Sequence, residues 1–437
     1  MKKPFLLLSL TTAILTSCHK DKNTTPTKTK PEGLKIEIIK GNNQIDTLGK
    51  VLKDSITVKV TNNGNIIKNA YIRFQTLGCD NNTSVDIPTY KTGLVNFQWR
   101  LNGPVGKQSL KVIFLDSLKI KRDSIEATAT GIMPTHGWYR SSCTPANNAI
   151  VNSLCKLSSG RLIAAFNAHD YPYYSDDNAI TWHPLKTFPL PITPFLYINK
   201  LIATSTDEIF AATQNNGLYY SRDGGQSWEI RSAGITDMRY FVDMNYTKSG
   251  KLIYTTYFGG IYLSVNKGVT WKSIMTGLSY NDRFYYPSEQ VNGDLYVVND
   301  VGDLYKSVNS GMQWNRVLLN FTYDVQSLFI DNNGYFFVGA SNYYAELYLS
   351  TDNSIWSKIY TAPPIPGVYR EIQKMSKQDN GKYYFYTYGN GLISTSNFKV
   401  FENIASNYTE QSRCYITTKD GNLVIGTQFN GIYFNLP

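Results

Sequence analysis

Four arginines stand just before, or at the start of, apolar strand-like runs: Arg239 in "MRYFVDM", Arg283 in "DRFYYPS", Arg370 in "YREIQKM" and Arg413 in "SRCYITT". A guanidinium is a planar, permanently charged fork of donors. Several converging on one place would take up a carboxylate, a sulfate or an acidic peptide. Tyrosines gather in the same stretches: Tyr171, Tyr173, Tyr257, Tyr285, Tyr286, Tyr343, Tyr344 and Tyr388. Each offers a rigid face and one polar tip, suited to stacking on a sugar or filling a protein interface. Tyr285, Tyr343 and Tyr388 join the four arginines as candidate ligand contacts. A simpler local reading stands beside this one. The arginines can cap strands through carboxylates such as Asp282 and Glu371, and any single tyrosine can be buried.

Catalysis would need more. A glycosidase uses two carboxylates across a pocket. Asp170, Asp237, Asp282, Asp300, Glu346 and Glu371 are available in loops, but their spacing singles out no pair. His169 beside Asp170 reads as a hairpin tip. With 4 histidines and no Cys-x-x-Cys pair, no metal site and no cofactor is expected. The net charge is +10, but the lysines are scattered, which argues against nucleic acid as a partner.

What must position these residues is a repeat. "SRDGGQSW" (221–228) recurs as "SDDNAITW" (175–182), "SVNKGVTW" (264–271), "SVNSGMQW" (307–314), "STDNSIW" (350–356) and a degenerate "STSNFKVF" (394–401). The anchors Trp182, Trp228, Trp271, Trp314, Trp356 and Phe401 lie 42 to 46 residues apart. That length suits a four-stranded propeller blade. Seven turn-and-strand copies keep step, from "SGRLIAAF" to "DGNLVIGT". The last copy lacks an outer strand, and "GWYRSS" (137–142) supplies one, with Trp138 standing 44 residues before Trp182. Seven blades closed by that strand are predicted over 137–437. Within each turn, Asp177, Asp223, Asn266, Asn309 or Asp352 accepts backbone N–H groups. Asparagine at two of these places argues for a structural turn rather than a calcium ligand.

Ser221, Asp223, Gly225 and Trp228 spell S-x-D-x-G-x-x-W. The chain here resembles the Asp-box repeats of neuraminidase-like propellers. The motif occurs in sialidases, xyloglucan hydrolases, sortilin-type receptors and a photosystem assembly factor. The resemblance implies that the boxes face away from the functional mouth, so that the arginines surround it. A sialidase would also carry an "RIP" signature near the first inner strand, where this chain reads "NNAIVNSLCKL", and normally six blades. A non-catalytic face that binds a protein or a glycan is therefore expected. An extracytoplasmic glycoside hydrolase is the alternative.

Upstream, 34–131 alternates in strand fashion around an Asn-Gly turn, as in "SITVKVTNNGNIIKNAYIRF". With "TGLVNFQWRL" it resembles invasin-type immunoglobulin-like domains. A β-sandwich spacer with Trp99 in its core is the expectation. Residues 19–33, rich in Lys, Thr and Pro, read as a tether. "MKKPFLLLSLTTAILTSC" (1–18) has a basic start and an apolar run too short to span a bilayer. Its "LTSC" resembles a bacterial lipobox, which implies lipidation of Cys18. The chain is thus expected on the cell envelope, at the outer membrane, anchored by lipid. Of Cys79, Cys143, Cys155 and Cys414, Cys143 and Cys155 flank a short loop and could pair; other connectivities are open.

Overall fold

A computed structural model describes residues 31–77, 84–145, 149–167, 171–189, 197–258, 260–321, 324–341, 344–363, 371–387, 391–404 and 412–436. These residues are all-β, without a helix. Seven four-stranded antiparallel sheets follow one another along the chain, as a propeller requires. Blades one to six span 151–184, 198–230, 241–273, 284–316, 324–361 and 372–403. Blade seven takes three strands from 412–436 and its fourth from Gly137–Arg140. That strand pairs antiparallel with the chain's last, Trp138 opposite Asn435 and Arg140 opposite Tyr433. The closure leaves no open blade edge.

The second strands are wholly buried and mostly apolar, for example Leu162–Phe166, Leu252–Thr256 and Leu423–Thr427. Their two faces pack against different neighbours. Seven apolar clusters result, each drawn chiefly from two adjacent blades. One of them joins blade seven to blade one, through Val424 and Phe434 against Val151 and Trp182. The anchor tryptophans tie the backbone across these seams. Trp271 N donates to Ala233 O at 3.0 Å and its indole Nε1 to Arg231 O at 2.9 Å. Trp314 repeats the pattern with Thr276 O at 3.0 Å and Ile274 O at 2.7 Å. Trp182, Trp314 and Trp356 are buried, whereas Trp228 is half-buried.

The repeated turn is a small hydrogen-bonded cage. Ser221 Oγ donates to Asp223 Oδ1 at 2.8 Å and receives Gly225 N–H at 2.8 Å. Asp223 Oδ1 also receives Ser227 N–H at 2.8 Å. Gly225 has φ of +92°, and a Cβ there would meet Leu185 Cδ2 at 2.6 Å, so only glycine fits without adjustment.

Residues 34–132 form two sheets around a separate core. Ile56, Val58 and Val60 of one sheet face Ile72, Leu110 and Val112 of the other, with Trp99 between them at 2% exposed. Asn63 and Gly64, at φ of +48° and +80°, make the tight turn that the Asn-Gly pair predicts. The sandwich touches the ring where Cys143 N donates to Asn102 O at 3.0 Å. The cysteines correct one expectation. Cys155 is a free, buried thiol, so it is not the partner of Cys143, which is disulfide-bonded. Cys155 sits among apolar side chains at the seam of blades one and two, and burial pushes its thiol up to about 12.

Candidate functional site

Strand order fixes the two ends of the ring. The repeated Ser-x-Asp/Asn turns and the turns after the inner strands share one end. The loops entering each inner strand and those between second and third strands share the other. Arg239 and Arg283 lie at that second end, immediately before the inner strands Phe241–Tyr246 and Phe284–Glu289.

Here blades two, three and four build one patch. Arg239 donates to Asp237 through Nε at 3.0 Å and Nη2 at 2.8 Å. The same guanidinium lies 5.6 Å from the Phe258 ring centre. Arg283 sits 3.8 Å over the Tyr257 ring and donates to its hydroxyl, with Asp300 at 3.9 Å. Tyr257 and Phe258 stand 4.5 Å apart, and Tyr240 lies 6.0 and 5.7 Å from them. Such ring–cation packing stiffens both partners. Tyr240 has φ of +54°, an uncommon state for a bulky residue. It is held there by Asn215 Oδ1, which accepts its N–H at 3.1 Å, and by Tyr257 N–H on its carbonyl at 3.0 Å. Despite this clustering, Tyr240 and Phe258 remain 51% and 52% exposed. A rigid apolar face bordered by guanidinium groups is thus presented to solvent. The Arg239 fork holds the Asp237 carboxyl below its ordinary value.

The other sequence candidates fall in four groups. Arg413 lies inside the strand Ser412–Thr417 and lines the central channel rather than the rim. Tyr285 and Tyr286 line the same channel. Tyr173 is buried at 1%, edge-on to Phe166 at 5.2 Å, and Tyr171 packs behind it, so both belong to the core. Tyr344 is exposed ahead of blade five's third strand. Arg370, Tyr343, Tyr388, His169, Asp170, Cys79 and Cys18 lie outside the described residues.

The candidate carboxylates among the described residues are engaged, Glu346 within the strand Ala345–Ser350. Asp282 accepts Asn299 Nδ2 at 2.9 Å. Glu346 is buried, with Lys358 Nζ at 2.9 Å and Tyr348 OH at 2.7 Å. Glu371 accepts the Gln373 amide. Among the described residues no group of three metal-ligating side chains comes together.

The channel itself encloses about 1060 Å³ and is lined by inner strands of all seven blades. Lys200 pairs with Asp243 at 2.5 Å and Lys251 with Glu289 at 2.7 Å. Burial opposes ionisation of Glu289, but Lys251 and Ser249 overcome it and hold the carboxyl low. Lys374 lines the channel from blade six, with its side chain exposed. Enclosure by the ring, together with nearby Lys200 and Arg413, lowers its ammonium below the usual lysine value against the pull of Asp243. Sequence reading missed Lys200, Asp243 and Lys374. The available signal was a polar residue interrupting alternation near the start of each inner strand.

No protein-family model matches the chain, and no curated protein matches it. Solved structures do resemble it. YCF48 from Cyanidioschyzon merolae superposes with a TM-score of 0.51 at 12% identity, covering 69% of this chain and 98% of that one. YCF48 bound to D1 peptide gives 0.53 at 11% identity, covering 69% and 97%. The extracellular domain of the two-component system BT3049 from B. thetaiotaomicron gives 0.53 at 18% identity, covering 69% of this chain and 42% of that one. A streptogramin B lyase gives 0.53 at 13% identity, covering 69% and 98%. At these identities the likeness is one of fold. A protein solved with a bound peptide, the extracellular domain of a two-component system and a lyase thus share with this chain the β-propeller architecture.

Proposed function

We propose that this chain is a lipid-anchored envelope protein whose propeller mouth binds a protein partner. Cys18 carries the lipid, 19–33 tethers, and the sandwich, read as immunoglobulin-like, acts as a spacer. The observation that carries the binding reading is the exposed Arg239–Tyr240–Tyr257–Phe258–Arg283 patch. Aromatic and arginine side chains held rigid before contact are the composition of interface hot spots, because little side-chain freedom is left to lose. The ion pairs with Asp237 and Asp300 orient the forks while leaving the aromatic faces open. YCF48, a propeller solved with D1 peptide, offers a parallel for peptide binding on this fold. The engaged carboxylates among the described residues support binding over hydrolysis, since a glycosidase acid must be held protonated.

The test places a photo-crosslinking residue at Phe258 of the full chain in intact cells. A discrete protein adduct is expected, and Arg239→Ala with Arg283→Ala should abolish it. Binding of glycans with no protein adduct would refute the protein reading. So would turnover of a glycoside that depends on a mouth carboxylate. Labelled fatty acid should enter the chain and be lost in Cys18→Ser.

A further inference from the structure

Each inner strand departs from regular register once, near its mouth end. The breaks fall between Val151 and Ser153, Ile198 and Lys200, Phe241 and Asp243, Tyr285 and Ser288, Val325 and Ser327, Gln373 and Met375, and Ser412 and Cys414. A bulge leaves one residue outside the ladder and re-aims its side chain. Asn152, Asn199, Val242, Tyr286, Lys374 and Arg413 are bulge residues that line the channel. Because the blades close a circle, one defect repeated seven times becomes a ring of side chains around the axis.

The geometry points to a carboxylate-binding site in this ring, formed by Lys374 of blade six and Arg413 of blade seven. The channel is lined by the cations Lys200, Lys248, Lys251, Lys374 and Arg413, against Asp243, Glu289 and Asp331. Lys200 and Lys251 are paired with carboxylates, and Lys248 donates to Asn332 O at 3.1 Å. Asp331 is buried and accepts Tyr383 OH at 2.7 Å. Lys374 and Arg413 alone among these cations have no acceptor among the described residues. They occupy the equivalent bulge position on adjacent blades, and both line the channel. Two like charges facing one channel favour an anion between them.

The backbone adds a second observation. Lys374 has φ of +43°, in the left-handed region where glycine would be at ease, a state it shares with the bulge residue Tyr286 at +53°. Tyr415 OH lies 2.6 Å from the Lys374 carbonyl and braces that conformation. A lysine retained in a strained bulge, with its ammonium in the channel, fits a functional role for the side chain. A carboxylate matches the Arg413 fork bidentately and the Lys374 ammonium as a point charge. Asp243, already neutralised by Lys200 and receiving Tyr286 N–H at 2.9 Å, disfavours a more highly charged anion alongside. Tyr197 and Tyr285 line the space on the mouth side that would hold the ligand's body. The carboxylate can belong to a free organic acid or to an acidic peptide.

This inference deepens the reading of the mouth as a binding face, and its test is separate from the crosslink at Phe258. Calorimetry on the full chain would use glutarate, a hexaglutamate peptide and sulfate as probes. Binding of glutarate or the peptide is expected, weakened at least tenfold in Lys374→Gly and in Arg413→Gln. Glutarate binding identifies a free acid as sufficient; peptide binding alone identifies an acidic segment. The thermal midpoint of Lys374→Gly should equal or exceed that of the parent, because glycine relieves the bulge. Equal affinity for sulfate, binding that survives either substitution, a lowered midpoint in Lys374→Gly, or no binding at all would each overturn the assignment. If glutarate binds while the Phe258 adduct fails to form, this site stands and the protein-partner reading falls.

Discussion

Replacing Asp223 tests what the repeated turn does, and the chain carries its own control. Asp223 Oδ1 accepts Ser221 Oγ–H and Ser227 N–H, both at 2.8 Å, and Oδ2 accepts Ser227 Oγ–H at 2.5 Å. Asn266 does the same work without charge. It accepts Ser264 Oγ–H at 2.9 Å and Thr270 N–H at 3.0 Å, and donates Nδ2 to Thr270 Oγ1 at 2.8 Å. Asp223→Asn should therefore keep the cage and cost less than about 1 kcal/mol at pH 7. Asp223→Ala removes all three bonds in a half-exposed turn, where water replaces part of what is lost, and should cost about 2–3 kcal/mol. Acid supplies the second arm. Partial burial works against ionisation of Asp223, yet donors on Ser227 and Ser221 prevail and hold its carboxyl at about 2 against 3.8 when free. A depressed folded value means stability that is present above pH 4 and lost as pH falls toward 2. The unscreened linkage would be about 2.5 kcal/mol, and solvent screening of this exposed turn reduces it to about 1 kcal/mol. Urea midpoints from tryptophan fluorescence at pH 7 and pH 2.5 measure both effects. The gap between parent and Asp223→Asn should shift by about that amount in the acid, in favour of the variant. Equal losses for Asn and Ala at pH 7 would refute the structural turn and revive a bound cation.

Two further substitutions probe the frame. Gly225→Ala should destabilise by about 2–3 kcal/mol, because a left-handed backbone is combined with a contact on Leu185. Gly293→Ala, with φ of +89° and open space around it, should show only the backbone part, about 1–2 kcal/mol, and thermal midpoints separate the two. Tyr139→Pro should open the seal between first and last strands. Tyr139 faces Phe434, and Ser141 N donates to Ile432 O at 2.9 Å, so alternation makes residue 139 a hydrogen-bonded position. The lost bond and displaced ring should cost at least about 2 kcal/mol, read as faster hydrogen exchange at 432–436 with blade three unchanged.

The frame was legible because packing forces it to repeat. An aromatic ring packed into the seam between neighbouring blades, as Trp182, Trp271, Trp314 and Phe401 are, must return once per blade, and the 42- to 46-residue spacing follows. The closing strand was legible for a related reason: an outer strand missing at one end, with Trp138 in phase at the other. The rim was half legible. Arg239, Arg283 and Tyr257 could be placed from strand starts, but their union with Tyr240 and Phe258 depends on a positive φ at Tyr240 and on a neighbouring blade's Asn215. Neither leaves a local mark. The cysteines illustrate the opposite failure. Cys143 and Cys155 are close in sequence, yet the inner strand Val151–Lys156 carries Cys155 into the seam between two blades.

The channel shows why a period can reveal a scaffold and conceal a site. Middle-strand positions are buried on both faces, so their composition is pinned to apolar residues of limited size. A bulge residue is released from the ladder and turned toward the axis, where packing asks nothing particular of it. Asparagine, valine, tyrosine, lysine and arginine all occupy that place in this one chain. Variation within a fixed frame therefore marks the positions where chemistry can change without cost to the fold. Lys374 and Tyr286 take that place at positive φ, +43° and +53°, where glycine would be at ease. Stability alone would favour glycine at both, so what the two side chains bring to the channel, an ammonium and a phenol, is the most direct physical account of their presence.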